Sequence, residues 1–174
     1  MLINFSSIKG ITLVATEDKG KVGDLEEVVI DPDQGKILCF LVKTGFFSPL
    51  KALFPPDILG WYQEFIVIPS KNTFVEPKEI VRAYEVIKQK IKILDQKVVN
   101  QKIQTIGKVI DLTLDLETYY LSRISVEISP LKGFLESERL IPWNKIIKIT
   151  KDFVMVEEIE KKKVGAIERV PEIS

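Results

Sequence analysis

The chain has 174 residues, 45% of them hydrophobic, and its 25 basic and 25 acidic side chains leave a formal net charge of zero. This size and composition suit one ordinary domain or two small ones with a buried core, and the neutral balance gives no general attraction to nucleic acid or anionic membrane. Histidine is absent, which excludes Ser-His-Asp triads, Cys-His dyads and histidine-containing zinc sites.

The start of the chain, MLINFSSIKG, lacks the basic segment and long apolar run of a signal peptide. No stretch approaches the roughly 18 consecutive apolar residues that a membrane helix needs. The single cysteine, Cys39, lies in the apolar run KILCFLV and has no partner for an intrachain disulfide. We therefore expect a cytoplasmic protein without membrane insertion.

The stretch VGDLEEVVIDPDQGKI at 22–37 predicts the first hairpin. Apolar residues run up to Asp31 and resume at Ile37, and the turn between them contains Pro32, which presets φ, and Gly35, which permits unusual backbone angles. Such a turn joins two antiparallel strands.

The acidic residues of this turn raise the question of a metal site. Asp31 and Asp33 resemble the start of a calcium loop, but an EF-hand needs glycine where the chain has Lys36 and an acidic residue where it has Val42. We predict instead a turn in which Asp31 and its counterpart Asp115 bond nearby backbone N–H groups. We expect no metal ligands, no cofactor and no catalytic residues; a small-ligand or metal sensor stays open as a third hypothesis.

The motif SPLK occurs twice, at 48–51 and at 129–132. We interpret it as a bend between strands, in which proline fixes the turn and leucine packs inside. The alternative is a binding loop displayed twice, with Lys51 and Lys132 as its charged contacts.

The segment PKEIVRAYEVIKQKIKI predicts a helix from about Lys78 to Lys90. Proline suits its first turn, and the isoleucines and tyrosine at 80, 84, 87 and 91 form one apolar stripe. Lysine dominates 86–110, and Lys88, Lys90 and Lys92 are the residues that an RNA-binding hypothesis would use. The same stretch lacks arginine and aromatic residues for base stacking, so we interpret these lysines as a solvated face and expect no nucleic-acid partner.

The second half of the chain repeats the first. Apolar residues alternate with polar ones along 110–116 and 122–128, which is the period of strands with one buried face. Three matching blocks keep the same order, which indicates a duplication. The matched pairs are 22–31 with 106–115, 48–54 with 129–135, and 55–68 with 142–156.

Two copies that open on VGDLEEVVID or IGKVIDLTLD, and close on DILGWYQEFIVI or NKIIKITKDFVMV, resemble the PRC-barrel family. The resemblance implies a mainly β fold of two small, bent PRC-like β-barrels in tandem, joined by an α-helix. Members include the cytoplasmic domain of the photosynthetic reaction-centre H subunit and the C-terminal domain of the ribosome maturation factor RimM. What these members share is docking onto other proteins, and the family brings no catalytic residues.

On this basis the chain divides into four parts. They are a first PRC-barrel-like domain at 1–76, a linker helix at 77–93, a second PRC-barrel-like domain at 94–160 and a polar C-terminal tail at 161–174.

The two copies differ on the faces predicted to point outward. The apolar residues Val29, Cys39 and Leu41 stand where the second copy has the polar residues Thr113, Arg123 and Ser125. Phe46 and Phe47 extend this apolar strip. An exposed strip of this kind needs a cover, which is either the linker helix or second barrel of the same chain, or a partner protein or second copy of the chain.

The leading hypothesis is therefore a non-enzymatic adaptor or scaffold that binds a protein partner through the strip Val29, Cys39, Leu41, Phe46 and Phe47. A homodimer through the same strip is an open alternative. The second hypothesis is an RNA-metabolism or ribosome-assembly factor resembling RimM.

Overall fold

The structure, a computed structural model, describes residues 1–128 and 137–158. The second SPLK motif, at 129–132, and the tail at 161–174 lie outside these residues, so the predictions made for them stay predictions. Strands dominate the described residues, and two α-helices accompany them. The elements of the first half are β1 (Leu2–Asn4), α1 (Phe5–Ile8), β2 (Thr12–Ala15), β3 (Gly20–Ile30), β4 (Ile37–Lys43), β5 (Lys51–Leu53), β6 (Gly60–Trp61) and β7 (Phe65–Ile68). They are followed by α2 (Val81–Lys88), β8 (Lys97–Val99), β9 (Thr105–Asp115), β10 (Tyr120–Ile128), β11 (Glu138–Pro142), β12 (Ile146–Ile149) and β13 (Val154–Val156).

The two halves form sheets with the same strand order. The first sheet runs β5-β4-β3-β2-β7-β6, and the second runs β11-β10-β9-β8-β13-β12. In each sheet the closing strand lies parallel to the first strand of its copy, β7 to β2 and β13 to β8, while the other pairs are antiparallel. The prediction of a duplicated, mainly β fold is confirmed.

The first strand of the chain breaks this symmetry. β1 adds to the second sheet rather than the first, with Leu2 opposite Asp115 and Asn4 opposite Thr113. α1 follows directly, and Ser6 of α1 donates its backbone N–H to Asp111 Oδ1 at 3.0 Å. The N-terminal residues of the predicted 1–76 unit therefore pack against the other half of the chain.

The matching glycines of the two copies lie where neighbouring strands come very close. A Cβ atom at Gly23 would stand 2.6 Å from Val42 Cγ1, and one at Gly107 would overlap the carbonyl oxygen of Glu127. The pairing of β3 with β4 and of β9 with β10 also shifts register twice each. Bulges of this kind bend a strand, so the glycines permit the sharp curvature of both sheets.

The two corresponding hairpin turns bind each other. The backbone N–H of Ile37 donates to the carbonyl of Tyr119 at 2.8 Å, and the backbone N–H of Leu121 donates to the carbonyl of Gly35 at 2.8 Å. Between these bonds, Lys36 and Tyr120 form an isolated antiparallel bridge. Because Gly35 and Tyr119 occupy the same place in the repeat, as do Ile37 and Leu121, the contact is reciprocal, like the interface of a twofold dimer.

A continuous hydrophobic core accompanies this contact. One cluster of buried side chains contains Phe40 and Leu25 from the first half together with Leu114 and Ile124 from the second. Phe5 of α1 belongs to the same cluster and is 3% exposed. The two barrels are therefore packed together rather than separated by an extended linker.

We expect Gly35→Ala to lower the free energy of unfolding more than Gly10→Ala does. Both glycines have positive φ, 72° and 82°, so both substitutions carry similar backbone strain of about 1 kcal/mol. Of these two glycines, Gly35 is the one at which a Cβ would overlap another group, since it would lie 2.8 Å from the Trp143 ring, whereas a Cβ at Gly10 would meet nothing within 4 Å. This overpacking should lower the free energy of unfolding of Gly35→Ala by a further amount of about 1–3 kcal/mol, as measured by urea unfolding. Equal losses of stability in the two variants would refute this packing.

Candidate interaction surfaces

The strip residues Val29, Cys39 and Leu41 are buried. None is more than 6% exposed, and they form a cluster with Ala83 and Val86 of α2. The structure corrects the prediction that these three residues face a partner, because the linker helix of the same chain covers them. Burial also raises the pKa of the Cys39 thiol to about 12, so this thiol stays neutral and unreactive near pH 7.

The helix that covers the strip is shorter than predicted, and one residue of the predicted apolar stripe points away from the sheet, while Ile80, Ile87 and Ile91 pack against the strip as expected. α2 begins at Val81 instead of near residue 78, after a separate 3-10 turn. Ala83 and Val86 face the sheet, whereas Tyr84, which belonged to the predicted apolar stripe, is 41% exposed. The small side chain of Ala83 allows the helix to lie close to the sheet.

Asp31 closes its own turn and anchors α2. Its Oδ1 accepts the backbone N–H of Asp33 at 2.8 Å, and Arg82 Nε donates to its Oδ2 at 2.9 Å. The Arg82 guanidinium lowers the pKa of the Asp31 carboxyl below its usual value. In the second copy, Asp115 accepts the backbone N–H of Glu117 at 3.0 Å. The prediction that the shared aspartate bonds the backbone of its turn is confirmed.

The acidic turn binds a cation of the same chain. Arg82 Nη2 lies 2.7 Å from Asp33 Oδ2, so the guanidinium contacts both aspartates that suggested a calcium loop. Within residues 1–128 and 137–158, no group of three or more acidic or cysteine side chains is placed to share a metal ion.

The polar counterparts of the strip are also covered in part. Thr113 and Ser125, expected on a wet face, are 2% and 5% exposed. Thr113 Oγ1 donates to Asn4 Oδ1 of β1 at 3.0 Å, and Arg123 Nε donates to Thr113 Oγ1 at 3.3 Å. The prediction of a solvated face is wrong at Thr113 and Ser125. At Thr113 the N-terminal strand supplies a polar partner, which makes a hydroxyl suitable there.

Phe46 and Phe47 are the strip residues that remain exposed. They lie in the loop between β4 and β5, and 82% of Phe46 and 94% of Phe47 is accessible. Their rings pack edge to face with centroids 4.8 Å apart, and Lys43 Nζ lies 5.3 Å from the Phe46 centroid. The loop therefore presents a preformed aromatic pair with one cation at its base.

The first SPLK motif follows this pair. Leu50 is half-buried against the cluster under α2, and Lys51 forms an ion pair with Glu76. The leucine thus packs partly against the core, which favours the bend interpretation, while the lysine is already engaged within the chain.

The structure separates the three lysines of the RNA-binding hypothesis. Lys92 Nζ pairs with Glu27 Oε1 at 3.0 Å. Lys88 and Lys90 instead line a groove that also includes Lys151 from the second half. Sequence inspection missed Lys151 because it lies far along the chain, and only the packing of the halves brings it near.

Two bent sheets of identical strand order, with paired hairpin turns and a common core, define a tandem β-barrel repeat protein. A family model described as PRC-barrel domain matches residues 2–95 and again 91–163. The chain therefore belongs to the PRC-barrel family and carries two copies in tandem. A search of curated proteins found no match.

Among residues 1–128 and 137–158, no helix has the length and apolar character required to cross a bilayer.

We expect Leu41→Ser to lower the free energy of unfolding by about 2–5 kcal/mol, because it removes a buried apolar side chain beneath α2. Phe47→Ser is the matched control. It removes a larger apolar side chain from an exposed site and should change stability by no more than about 0.5 kcal/mol. Urea unfolding followed by far-UV circular dichroism measures both, and an unaffected Leu41→Ser variant would contradict the burial of the strip.

We expect the contribution of the Asp31–Arg82 pair to disappear in acid. The folded pKa of Asp31 is lowered, so its stabilising effect is present above the unfolded pKa near 4 and is lost as pH falls toward the folded pKa. Asp31→Asn should therefore be less stable than wild type at pH 7 and approach wild-type stability below about pH 4.

Thermal unfolding at pH 7, 5 and 3 measures this difference. Asp33→Asn, at an 80% exposed side chain that contacts the same arginine, should change stability much less. A gap between wild type and Asp31→Asn that is as large at pH 3 as at pH 7 would contradict the assignment.

Proposed function

We propose that the chain is a non-catalytic adaptor that binds a partner protein through the Phe46–Phe47 loop. The observation that carries the proposal is the exposure of two adjacent phenylalanines, 82% and 94%, on a protein that buries its other apolar strip residues internally. A cytoplasmic location is part of the proposal, supported by a single thiol that is buried and unpaired.

The exposure of both rings leaves the free energy of their burial available for binding. Transfer of a phenylalanine side chain from water to an apolar site is worth about 1.5–3 kcal/mol. Aromatic residues are enriched at the centres of protein interfaces, where they fill pockets on the partner. Because the two rings already pack on each other, little conformational entropy is lost when they enter such a pocket.

The charges around the loop favour a protein pocket over an anionic membrane. The groove beside Thr44 is lined by Lys21, Lys51 and Lys71. Each of these lysines is paired with a carboxylate of the same chain. A lipid-binding loop gains affinity from unpaired cations, and these neutralised lysines supply little. Lys43, which lies over Phe46, would suit an acidic group at the rim of the partner pocket.

We expect Phe46→Ser/Phe47→Ser to abolish partner binding while stability stays within about 0.5 kcal/mol of wild type. Replacement of Phe47 with a photoreactive phenylalanine derivative, followed by crosslinking in cell extract, identifies the protein that contacts the ring. Binding of that purified protein to wild type and to the double variant is then measured by calorimetry, with an expected loss of at least tenfold.

Tyr62→Ser is the matched control, since Tyr62 is an exposed aromatic (57%) in another loop of the same barrel. It should leave partner affinity unchanged. Equal affinity of wild type and double variant would refute the proposal. So would crosslinking only to a second copy of the chain, or sedimentation with phosphatidylserine vesicles that depends on Phe46 and Phe47.

A further inference from the structure

A groove lies where the first barrel, the linker helix and the second barrel meet. The first hairpin turn forms one wall with Pro32 and Asp33, and the end of α2 with the residues up to Ile91 forms the next. The end of β12 at Ile149 and the turn that follows it, with Thr150 and Lys151, close the third side. The groove has a volume of about 650 Å³, enough for a small metabolite.

The lining of this groove is strongly positive in a chain whose net charge is zero. It contains Arg82, Lys88, Lys90 and Lys151, and its carboxylate, Asp33, already contacts Arg82 at 2.7 Å. Within residues 1–128 and 137–158, the three lysines form no ion pair, whereas Lys92, close by in sequence, is paired with Glu27. Unpaired like charges in a concave site attract anions.

Among residues 1–128 and 137–158, the side chains of two of these lysines form no hydrogen bond, ion pair or ring contact. Lys88 lies in the last turn of α2, where a cation suits the helix dipole, and its Nζ lies 5.5 Å from the Tyr84 ring centroid. The side chains of Lys90 and Lys151 have no comparable contact in the part of the chain that the structure describes. They therefore carry the argument for a ligand.

The backbone holds these two lysines in defined positions. Lys90 has a φ of 55° and donates its N–H to the carbonyl of Ile87 at 3.0 Å. The carbonyl of Lys151 accepts Gln96 Nε2 at 2.9 Å. Thr150 Oγ1 accepts the backbone N–H of Asp152 at 3.2 Å in the same turn. The two lysines thus line the groove from turns whose backbone is held by hydrogen bonds.

We propose that this groove binds a small phosphate-bearing molecule, with its phosphate groups held between Lys90 and Lys151. Lysine is a common partner of phosphate, as a point charge with three donors. The apolar lining of Pro32, Ile91 and Ile149 suits a ring attached to the phosphates, so a nucleotide fits better than free phosphate. Because Lys90 follows α2 and Lys151 belongs to the second barrel, the ligand would bridge the parts of the chain that the proposed adaptor holds together.

The test uses the full chain, inorganic pyrophosphate and metal-free ATP in low salt. We expect both probes to bind by calorimetry and to raise the thermal midpoint, with ATP tighter than pyrophosphate because of the apolar lining. Lys90→Gln/Lys151→Gln should weaken pyrophosphate binding at least tenfold. Lys19→Gln/Lys102→Gln is the matched control, since Lys19 also has a positive φ, 53°, and neither lysine lines the groove; it should bind as wild type does.

Three outcomes would overturn the proposal. The first is no binding of either probe at millimolar concentration. The second is an equal loss in the groove variant and the control, which would show diffuse attraction. The third is binding of a 12-residue oligouridylate that outcompetes ATP and is weakened equally by the groove variant and by the control variant, which would indicate an RNA surface. Phe46→Ser/Phe47→Ser should bind pyrophosphate normally, so this test is independent of the proposed adaptor function.

Discussion

Two hydrogen bonds between corresponding hairpin turns fix how the two halves of this protein pack on each other, and the other elements pack around that contact. Each bond joins the N–H that follows one turn, Ile37 or Leu121, to a carbonyl of the other turn, Tyr119 or Gly35. Both acceptor residues have positive φ, and each turn is closed internally by its own aspartate. A turn that is rigid by itself can present its carbonyl and N–H to its copy, so the duplication supplies both halves of its own interface. Once this contact and the common core are formed, α2 and β1 can pack only on the faces left open.

The asymmetry of the molecule follows from those two covers. α2 lies on the first barrel, and the positions beneath it are apolar, such as Val29. At the equivalent position of the second barrel stands Thr113, which bonds Asn4 of β1. Each cover thus determines the chemistry of the residues beneath it. After both faces are covered, Phe46 and Phe47 are the most exposed large apolar side chains of the described residues, and the groove beside Lys90 and Lys151 gathers cations from both halves of the chain.

Features that depend on local or repeated sequence were predictable. The hairpin turn and the role of its aspartate follow from Pro32 and Gly35, and the duplicated sheet follows from matched blocks of alternating residues. The need for a cover over Val29 and Leu41 was predictable, but the choice of α2 over a partner protein was not, because a period of two identifies the residues on one sheet face and not the element that packs against it. Tyr84 was predicted on the buried face of the helix for a related reason. An apolar stripe ranks residues by hydrophobicity and does not show that the small Ala83 lets the helix approach the sheet closely. Nothing in the sequence links Lys151 to Lys90, because the two residues are far apart in the chain, so the groove could not be predicted from residue spacing.

The sequence by itself determined the class of fold, its duplication and the conformation of its turns, because strand periodicity and turn chemistry act over a few residues and are repeated here in order. It also determined that any apolar strip on the first copy needed a cover. Only the tertiary structure decided which cover was used, that β1 crosses to the second sheet, and that lysines from α2 and the second barrel line the same groove. Those outcomes depend on contacts between residues far apart in the chain, where the free energy comes from shape and burial rather than from any local pattern.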